Sequence, residues 1–206
     1  MTRRASARRN AVRVIAGNLR SRKILFQELP GLRPTADRIR ETLFNWLRND
    51  VAGEVCLDLF AGSGALGIEA LSRGAEKVVF VEKDPAASAM ISENLEQLEI
   101  VNADISCIDA SQWIQQYSVR TTSGVGDTQF GIVFLDPPFS DKSLYRVFSE
   151  LDRSNLLKSN CKIYLESPCN ITESDLPCRW VPIRSKKAGQ VHYYLLEKRQ
   201  ESTDLK

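Results

Sequence analysis

Apolar and polar positions change period about a quarter of the way along the chain. From Thr35, a predicted N-cap, "ADRIRETLFNWL" places Ile39, Leu43 and Leu47 at i, i+4 and i+8, with Arg38, Arg40, Glu41 and Thr42 on other faces. That is the pattern of an amphipathic helix. After "AGE", strand-sized apolar runs alternate with segments of helical spacing. Strands are predicted over Val55–Phe60, Lys77–Asp84, Ile105–Ala110, Gly131–Asp136 and Lys162–Ser167, and helices over 65–74, 85–98, 111–117 and 142–157. Such alternation predicts a parallel sheet covered on both faces. Two further strand-like pieces, Trp180–Arg184 and Val191–Leu196, are joined by "SKKAGQ", a link that suits a hairpin and makes the last strand antiparallel. Ahead of the helix, "VRVIAG" and "RKILF" read as short strands, and Gly31 and Pro34 of "GLRPT" punctuate a turn. The Gly/Ser/Thr-rich Thr121–Gln129 reads as a surface loop, and the C-terminal "KRQESTDLK" as a frayed tail.

At 206 residues with 43% hydrophobic content, this pattern suits one domain with a sizeable core. No apolar run approaches the roughly 18 residues of a membrane span, so a soluble, cytoplasmic protein is expected. The charge is uneven. Eight of the 28 basic residues (Arg3, Arg4, Arg8, Arg9, Arg13, Arg20, Arg22 and Lys23) precede the first acidic residue, Glu28, which leaves 20 against 26 acids in the remainder. The asymmetry predicts an N-terminal end that meets a polyanion. A basic tail without function and an organelle transit peptide are the other readings, set against the strand-like character of the segment. Five scattered cysteines without a C-x-x-C pair favour reduced thiols, with Cys56 and Cys107 as packing residues, and together with the single His192 they supply no metal-ligand set.

Candidate chemistry begins in "LDLFAGSGALGIEAL". Gly62, Gly64 and Gly67 form G-x-G-x-x-G between a strand and a helix, a turn that lets a ligand approach the backbone at a helix N-terminus. Glu82, 20 residues after Gly62, stands where it could accept hydrogen bonds from ribose hydroxyls. Asp58, four residues before Gly62, would repel a pyrophosphate but suits the cationic methionine portion of S-adenosylmethionine. The chain also lacks a second glycine turn and hence a second mononucleotide-binding half. S-adenosylmethionine is therefore the predicted cofactor.

"DPPF", Asp136, Pro137, Pro138 and Phe139, ends the fourth strand of the alternating section. If the first and fourth strands are neighbours, it faces the glycine turn across the cleft. Asp136 and the Pro137 carbonyl could each accept a hydrogen bond from an exocyclic amine, and Phe139 could stack on the base. The prolines stiffen the backbone and bring no N–H that would need a partner. D-P-P-[YF] at this place resembles the signature of S-adenosylmethionine-dependent methyltransferases of base amino groups, which take the base out of its stack.

"VRVIAGNLRSRKI", "GLRPTADRIRETLFNWL", "LDLFAGSGALGIEALSRGA", "DPPF" and "AGQVHYYL" together resemble the RsmD family of small-subunit ribosomal RNA guanine-N2 methyltransferases, over nearly the whole chain. The resemblance implies a class I S-adenosylmethionine-dependent methyltransferase fold, α/β and Rossmann-like, with a mostly parallel sheet and an antiparallel last strand. It implies a basic N-terminal RNA-binding extension over 1–34, a methyltransferase domain over 35–200 and a tail over 201–206. Asp136, Pro137, Pro138 and Phe139 would carry the target amine. Asp58, Phe60, Ala61, Gly62, Gly64, Glu82, Lys83, Asp109 and Ala110 would line the cofactor site, the last two near the adenine. Arg13, Arg20, Arg22, Lys23, Arg33, Thr35, Arg38 and Arg40 would hold RNA. Methylation of one guanine N2 in 16S ribosomal RNA by a monomer, within an assembling small subunit, follows without a metal.

Rival readings are an adenine-N6 or cytosine-N4 methyltransferase, which shares the "DPPF" chemistry, and a non-catalytic RNA-binding assembly factor. The Pro168-Cys169 pair is similar to the nucleophile of cytosine-C5 enzymes but follows the fifth strand instead of the fourth, so Cys169 is read as structural. His192 is left with two readings, cleft or packing.

Overall fold

The computed structural model describes residues 9–27, 35–122, 129–138 and 144–200. Seven strands form the main sheet: β3 (Val55–Asp58), β4 (Lys77–Val81), β5 (Ala103–Ser106), β6 (Phe130–Leu135), β7 (Leu157–Ser167), β8 (Trp180–Ala188) and β9 (Val191–Lys198). Their order is β5-β4-β3-β6-β7-β9-β8, so the chain winds one way from β3 and then returns to add β6 on its other side. All neighbouring pairs from β5 to β7 are parallel, while β9 lies antiparallel to both β7 and β8. The predicted hairpin is present, and the last strand alone runs against the rest. Its link is shorter than the spacing implied, because β8 continues to Ala188 and leaves Gly189 and Gln190 for the turn.

Side chains alternate between two layers of core, as a sheet covered on both faces requires. Cys56, Val78, Phe80, Ile132, Phe134 and Tyr164 face one layer, under α1 (Asp37–Trp46), α2 (Ala65–Ser72) and α3 (Pro85–Gln97). Leu57, Val79, Val81, Val133, Leu135 and Ile163 face the other, under α4 (Ala110–Thr122) and α5 (Leu144–Arg153). β6 is buried at every position, which is why it reads as a continuous apolar run.

Two elements end earlier than predicted, for identifiable reasons. β5 (Ala103–Ser106) ends four residues before the predicted Ala110, because Asp109 is needed to cap α4, accepting from the Ser111 and Gln112 N–H groups at 3.0 and 3.3 Å. Cys107 consequently lies past the strand and is exposed, while Cys56 is buried as expected. The predicted helix 142–157 stops at Arg153: Ser154 Oγ donates to Leu151 O at 2.7 Å, and Leu157 already belongs to β7.

The basic N-terminal segment forms a two-stranded antiparallel sheet of β1 (Arg9–Arg13) and β2 (Lys23–Gln27). It is fastened to the helices instead of hanging free. Val14 and Ile24 are buried in the first core layer, the Ile15 and Ala16 N–H groups donate to Glu69 of α2 at 2.8 and 3.1 Å, and Asn94 of α3 accepts from Leu25 N at 2.8 Å.

Candidate active site

The switch between β3 and β6 opens a crevice at the carboxyl ends of the strands, the place where open α/β sheets bind ligands. On the β3 side the glycine turn enters α2. Gly64 caps that helix with φ 74°, a left-handed conformation that costs other residues dearly, and the Gly67 N–H donates to Asp58 Oδ2 at 3.0 Å. A Cβ on Gly67 would stand 2.2 Å from the Phe80 ring, so this third glycine serves helix-on-strand packing. Glu82, just past β4, accepts from Gly62 N at 2.7 Å and from Asp84 N at 2.8 Å. It thus ties the glycine turn to the start of α3, whose cap is Asp84. Phe60 is half-buried against the second core layer, Ala61 is buried with its N–H on Val81 O, Lys83 is exposed, and Ala110 is buried beside the exposed Asp109.

On the β6 side stands Asp136, followed by the buried Pro137 and the half-buried Pro138; Phe139 lies outside the described residues. Register places three carboxylates in a row. Asp58 pairs with Phe134, and Phe134 with Tyr164. Asp136 and Glu166 each follow two residues later, so all three project from the same sheet face at adjacent strand ends. Thr35 Oγ1 donates to Asp136 Oδ2 at 2.8 Å, and the Tyr164 hydroxyl donates to Glu166 Oε1 at 2.6 Å.

Loss of water, and not a neighbouring cation, dominates the electrostatics. Burial pushes the Asp58 carboxyl up to about 7, opposed by the Gly67 N–H and reinforced by Glu82. Burial and then the charge of Glu166 hold Asp136 well above the usual carboxylate range, against the Thr35 hydrogen bond. Glu166 is raised by burial too, with the Tyr164 and Thr35 hydroxyls working against it. Among the described residues no lysine or arginine forms an ion pair with any of the three. Buried carboxylates without a counter-cation are expensive in a ligand-free protein and well suited to a cationic ligand. A sulfonium with an amino acid ammonium has the matching charge, and Glu82 and the glycine turn suit the nucleoside half. No group of His, Cys, Asp and Glu among the described residues is arranged to hold a metal ion.

Among the expected RNA contacts, Arg13, Arg20, Arg22, Lys23 and Arg38 are exposed, and Arg33 lies outside the described residues. Two expectations are corrected. Arg40 is fully buried: its Nη2 donates to Arg13 O at 2.9 Å and Asp37 Oδ1 at 2.7 Å, and its Nη1 stands 3.8 Å from Glu69. It faces inward on α1, where it clamps the hairpin to α2 and cannot reach RNA. Thr35 does not cap α1, whose cap position belongs to Ala36; it is buried, and its hydroxyl donates to Asp136 instead. Sequence reading missed Glu166 and Tyr164. The available signal was an acidic residue closing an otherwise apolar strand next to "DPPF". Cys169 is exposed, and His192 is half-buried opposite Ser167 at the end of β7.

A parallel sheet with this strand order, a glycine turn on one side of the switch and Asp-Pro-Pro on the other, is the fold of S-adenosylmethionine-dependent methyltransferases. The same fold occurs in "A putative sam-dependent methyltransferase from Streptococcus mutans", at 16% identity and TM-score 0.68, covering 96% of this chain and 57% of that one. A family model described as "Conserved hypothetical protein 95" matches residues 12–197, and the chain belongs to that family. It is 40% identical over 187 residues to Ribosomal RNA small subunit methyltransferase D of Escherichia coli (strain K12), covering 91% of this chain and 90% of that protein. The protein of the same name from Haemophilus influenzae is 40% identical over 192 residues, 90% of this chain and 93% of the relative. Among solved structures, "Putative methyltransferase yhhF from Escherichia coli" superposes with TM-score 0.80 at 40% identity, covering 93% of this chain and all of that one. The resemblance read from the sequence is borne out at the level of the family.

Proposed function

We propose that this chain transfers a methyl group from S-adenosylmethionine to the exocyclic N2 amine of one guanine in 16S ribosomal RNA, as a cytoplasmic monomer acting on an assembling small subunit. The coarser statement, a small-subunit ribosomal RNA methyltransferase using S-adenosylmethionine, rests on the family and the fold. The observation that carries the reaction is the placement of Asp136 level with Glu166 and two residues beyond the level of Asp58 on the same sheet face, across the crevice from the glycine turn.

Bound S-adenosylmethionine supplies an electrophilic methyl on a sulfonium. Asp58 offers a buried negative charge to the cationic end of that ligand, and Glu82 and the turn at Gly62 and Gly64 face its ribose. An exocyclic guanine amine is a weak nucleophile, because its lone pair is delocalised into the ring. Asp136, accepting one amine hydrogen with the Pro137 carbonyl accepting the other, turns the lone pair toward the methyl and stabilises positive charge as it develops on nitrogen. Thr35 holds the Asp136 carboxylate in that orientation. Phe139 stacks on the extruded base. Arg13, Arg20, Arg22, Lys23, Arg33 and Arg38 contact phosphates, which position the RNA without reading it.

The test is incubation of undermethylated small-subunit particles with isotope-labelled S-adenosylmethionine, followed by mass spectrometry of the nucleosides. Labelled N2-methylguanosine is expected. Labelled N6-methyladenosine or N4-methylcytidine would overturn the choice of base, and no labelled nucleoside would overturn the catalytic reading.

A further inference from the structure

Between Asp175 and Glu197 the chain has no acidic residue and four cations, Arg179, Arg184, Lys186 and Lys187. Arg179 is consumed by Asp152, to which it is paired at 3.1 Å. The other three lie on β8, the edge strand, and all are exposed. Arg184 makes one long contact, 3.4 Å, to the neighbouring Ile183 carbonyl, and no ion pair involves Arg184, Lys186 or Lys187 among the described residues. In a domain whose acids outnumber its bases outside the N-terminal segment, three adjacent unpaired cations are unusual.

Their position in the sheet is more telling than their number. Lys187 pairs with His192, and His192 with Ser167, the last residue of β7, so the tip of the hairpin stands at the carboxyl ends of the strands, on the same edge as Asp136. Three strand spacings separate β8 from β6, about 14 Å. Paired residues share a face, so Lys186 projects with Tyr193 and Arg184 with Leu195, while Lys187 projects to the other side with His192. Cations therefore flank the rim of the strand on both faces. The strand beneath is firmly anchored, since Tyr193 is buried and stacked on Trp46 of α1 at 5.4 Å between ring centroids.

Lysines on an edge strand can serve to block pairing with another sheet. Here that purpose is already met by Pro182 and by the register shift between Pro182 and Arg184, which break the edge. The opposite edge of the sheet makes the contrast: β5 is as open, yet its Asp104 is bound by Lys77 at 2.6 Å.

The geometry points to the β8–β9 hairpin as a second RNA contact, in which Arg184, Lys186 and Lys187 hold backbone phosphates of nucleotides flanking the one inserted at Asp136. This rests on the reading of the chain as a ribosomal RNA methyltransferase and adds to it a surface remote from the N-terminal hairpin. The strand edge and the N-terminal arginines then grip the RNA on two sides of the crevice.

The test compares wild type with the triple variant Arg184→Gln, Lys186→Gln, Lys187→Gln. Each is titrated with a small-subunit ribosomal RNA transcript over a salt series, with S-adenosylmethionine affinity, thermal melting and methyl transfer measured in parallel. Loss of three phosphate contacts should weaken RNA binding about tenfold or more at low salt and make the slope of log K against log salt shallower by about 2. Cofactor affinity and melting temperature should be unchanged, and kcat/KM for the transcript should fall in step with RNA affinity. An unchanged slope and RNA affinity in the variant would overturn the hairpin's role. Wild-type protein that binds the transcript steeply with salt but methylates nothing would overturn the catalytic reading alone, because the slope still scores the hairpin. Wild-type protein that does not bind the transcript would overturn both.

Discussion

The crevice and the rim of this molecule carry unpaired charge of opposite sign under opposite conditions. Asp58 and Glu166 are buried and Asp136 is half-buried, and none of the three is paired with a cation among the described residues. Arg20, Lys23, Arg38, Lys186 and Lys187 are exposed and make no ion pair among the same residues. A buried charge without a partner works against folding, so each such carboxylate is informative by itself. An exposed charge is nearly free, and becomes informative only when several share one edge of the structure. The crevice therefore suits a small cation, and the rim suits the long polyanion proposed as its partner.

The sharpest way to break this contrast is to remove Asp136, the carboxylate proposed to meet the substrate. Asp136→Ala should lower methyl transfer to ribosomal RNA about 10³-fold, while isothermal titration shows S-adenosylmethionine affinity within a few-fold of wild type. A parallel collapse of cofactor affinity would place Asp136 in the cofactor site instead. A second comparison separates buried from exposed cations two positions apart on one helix. Arg40→Ala should cost about 3–5 kcal/mol in chemical denaturation, because it leaves Glu69 without part of its buried partnership and releases the β1–β2 hairpin. Arg38→Ala should cost less than about 0.5 kcal/mol and show itself in RNA binding.

A last effect is on pH dependence. Asp58, with its carboxyl near 7 in the folded protein and 3.8 as the ordinary value, keeps its proton across the window between them, while the unfolded chain has released it. The folded state then binds more protons than the unfolded one, and the contribution to stability falls as pH rises through that window. Asp58→Asn abolishes the dependence: the ligand-free variant should melt several degrees above wild type at pH 8 and close to it at pH 4. The same change should weaken S-adenosylmethionine binding about tenfold at pH 8, where wild-type Asp58 is ionised. A variant that is less stable than wild type at pH 8 would show that Asp58 is compensated in the ligand-free state.

Local pattern carried much of this. The glycine turn, Asp58, Glu82 and "DPPF" were legible because each sits where a strand-sized apolar run ends, and strand ends are visible in one dimension. The antiparallel last strand followed from the shortness of its link. Arg40 misled because a cation on an amphipathic helix reads as solvated, and burial at 0% depends on Glu69 and the Arg13 carbonyl, both distant in sequence. Thr35 misled for a similar reason: ahead of a helix it reads as a cap, and its true partner lies 101 residues away. The basic run on β8 was in plain view, but nothing local says that this strand lies on the outer edge with its tip beside the crevice.

The sequence by itself determined the family, the alternating α/β build and the identity of the strand-end residues, since these depend on spacing along the chain. The tertiary structure decided which of those residues meet. Alignment of Asp58, Asp136 and Glu166 in one row is a property of strand register. The diversion of Thr35, the burial of Arg40 and the placement of the β8 cations follow from contacts across the fold, where long-range packing and loss of water outweigh the local preferences that a sequence displays.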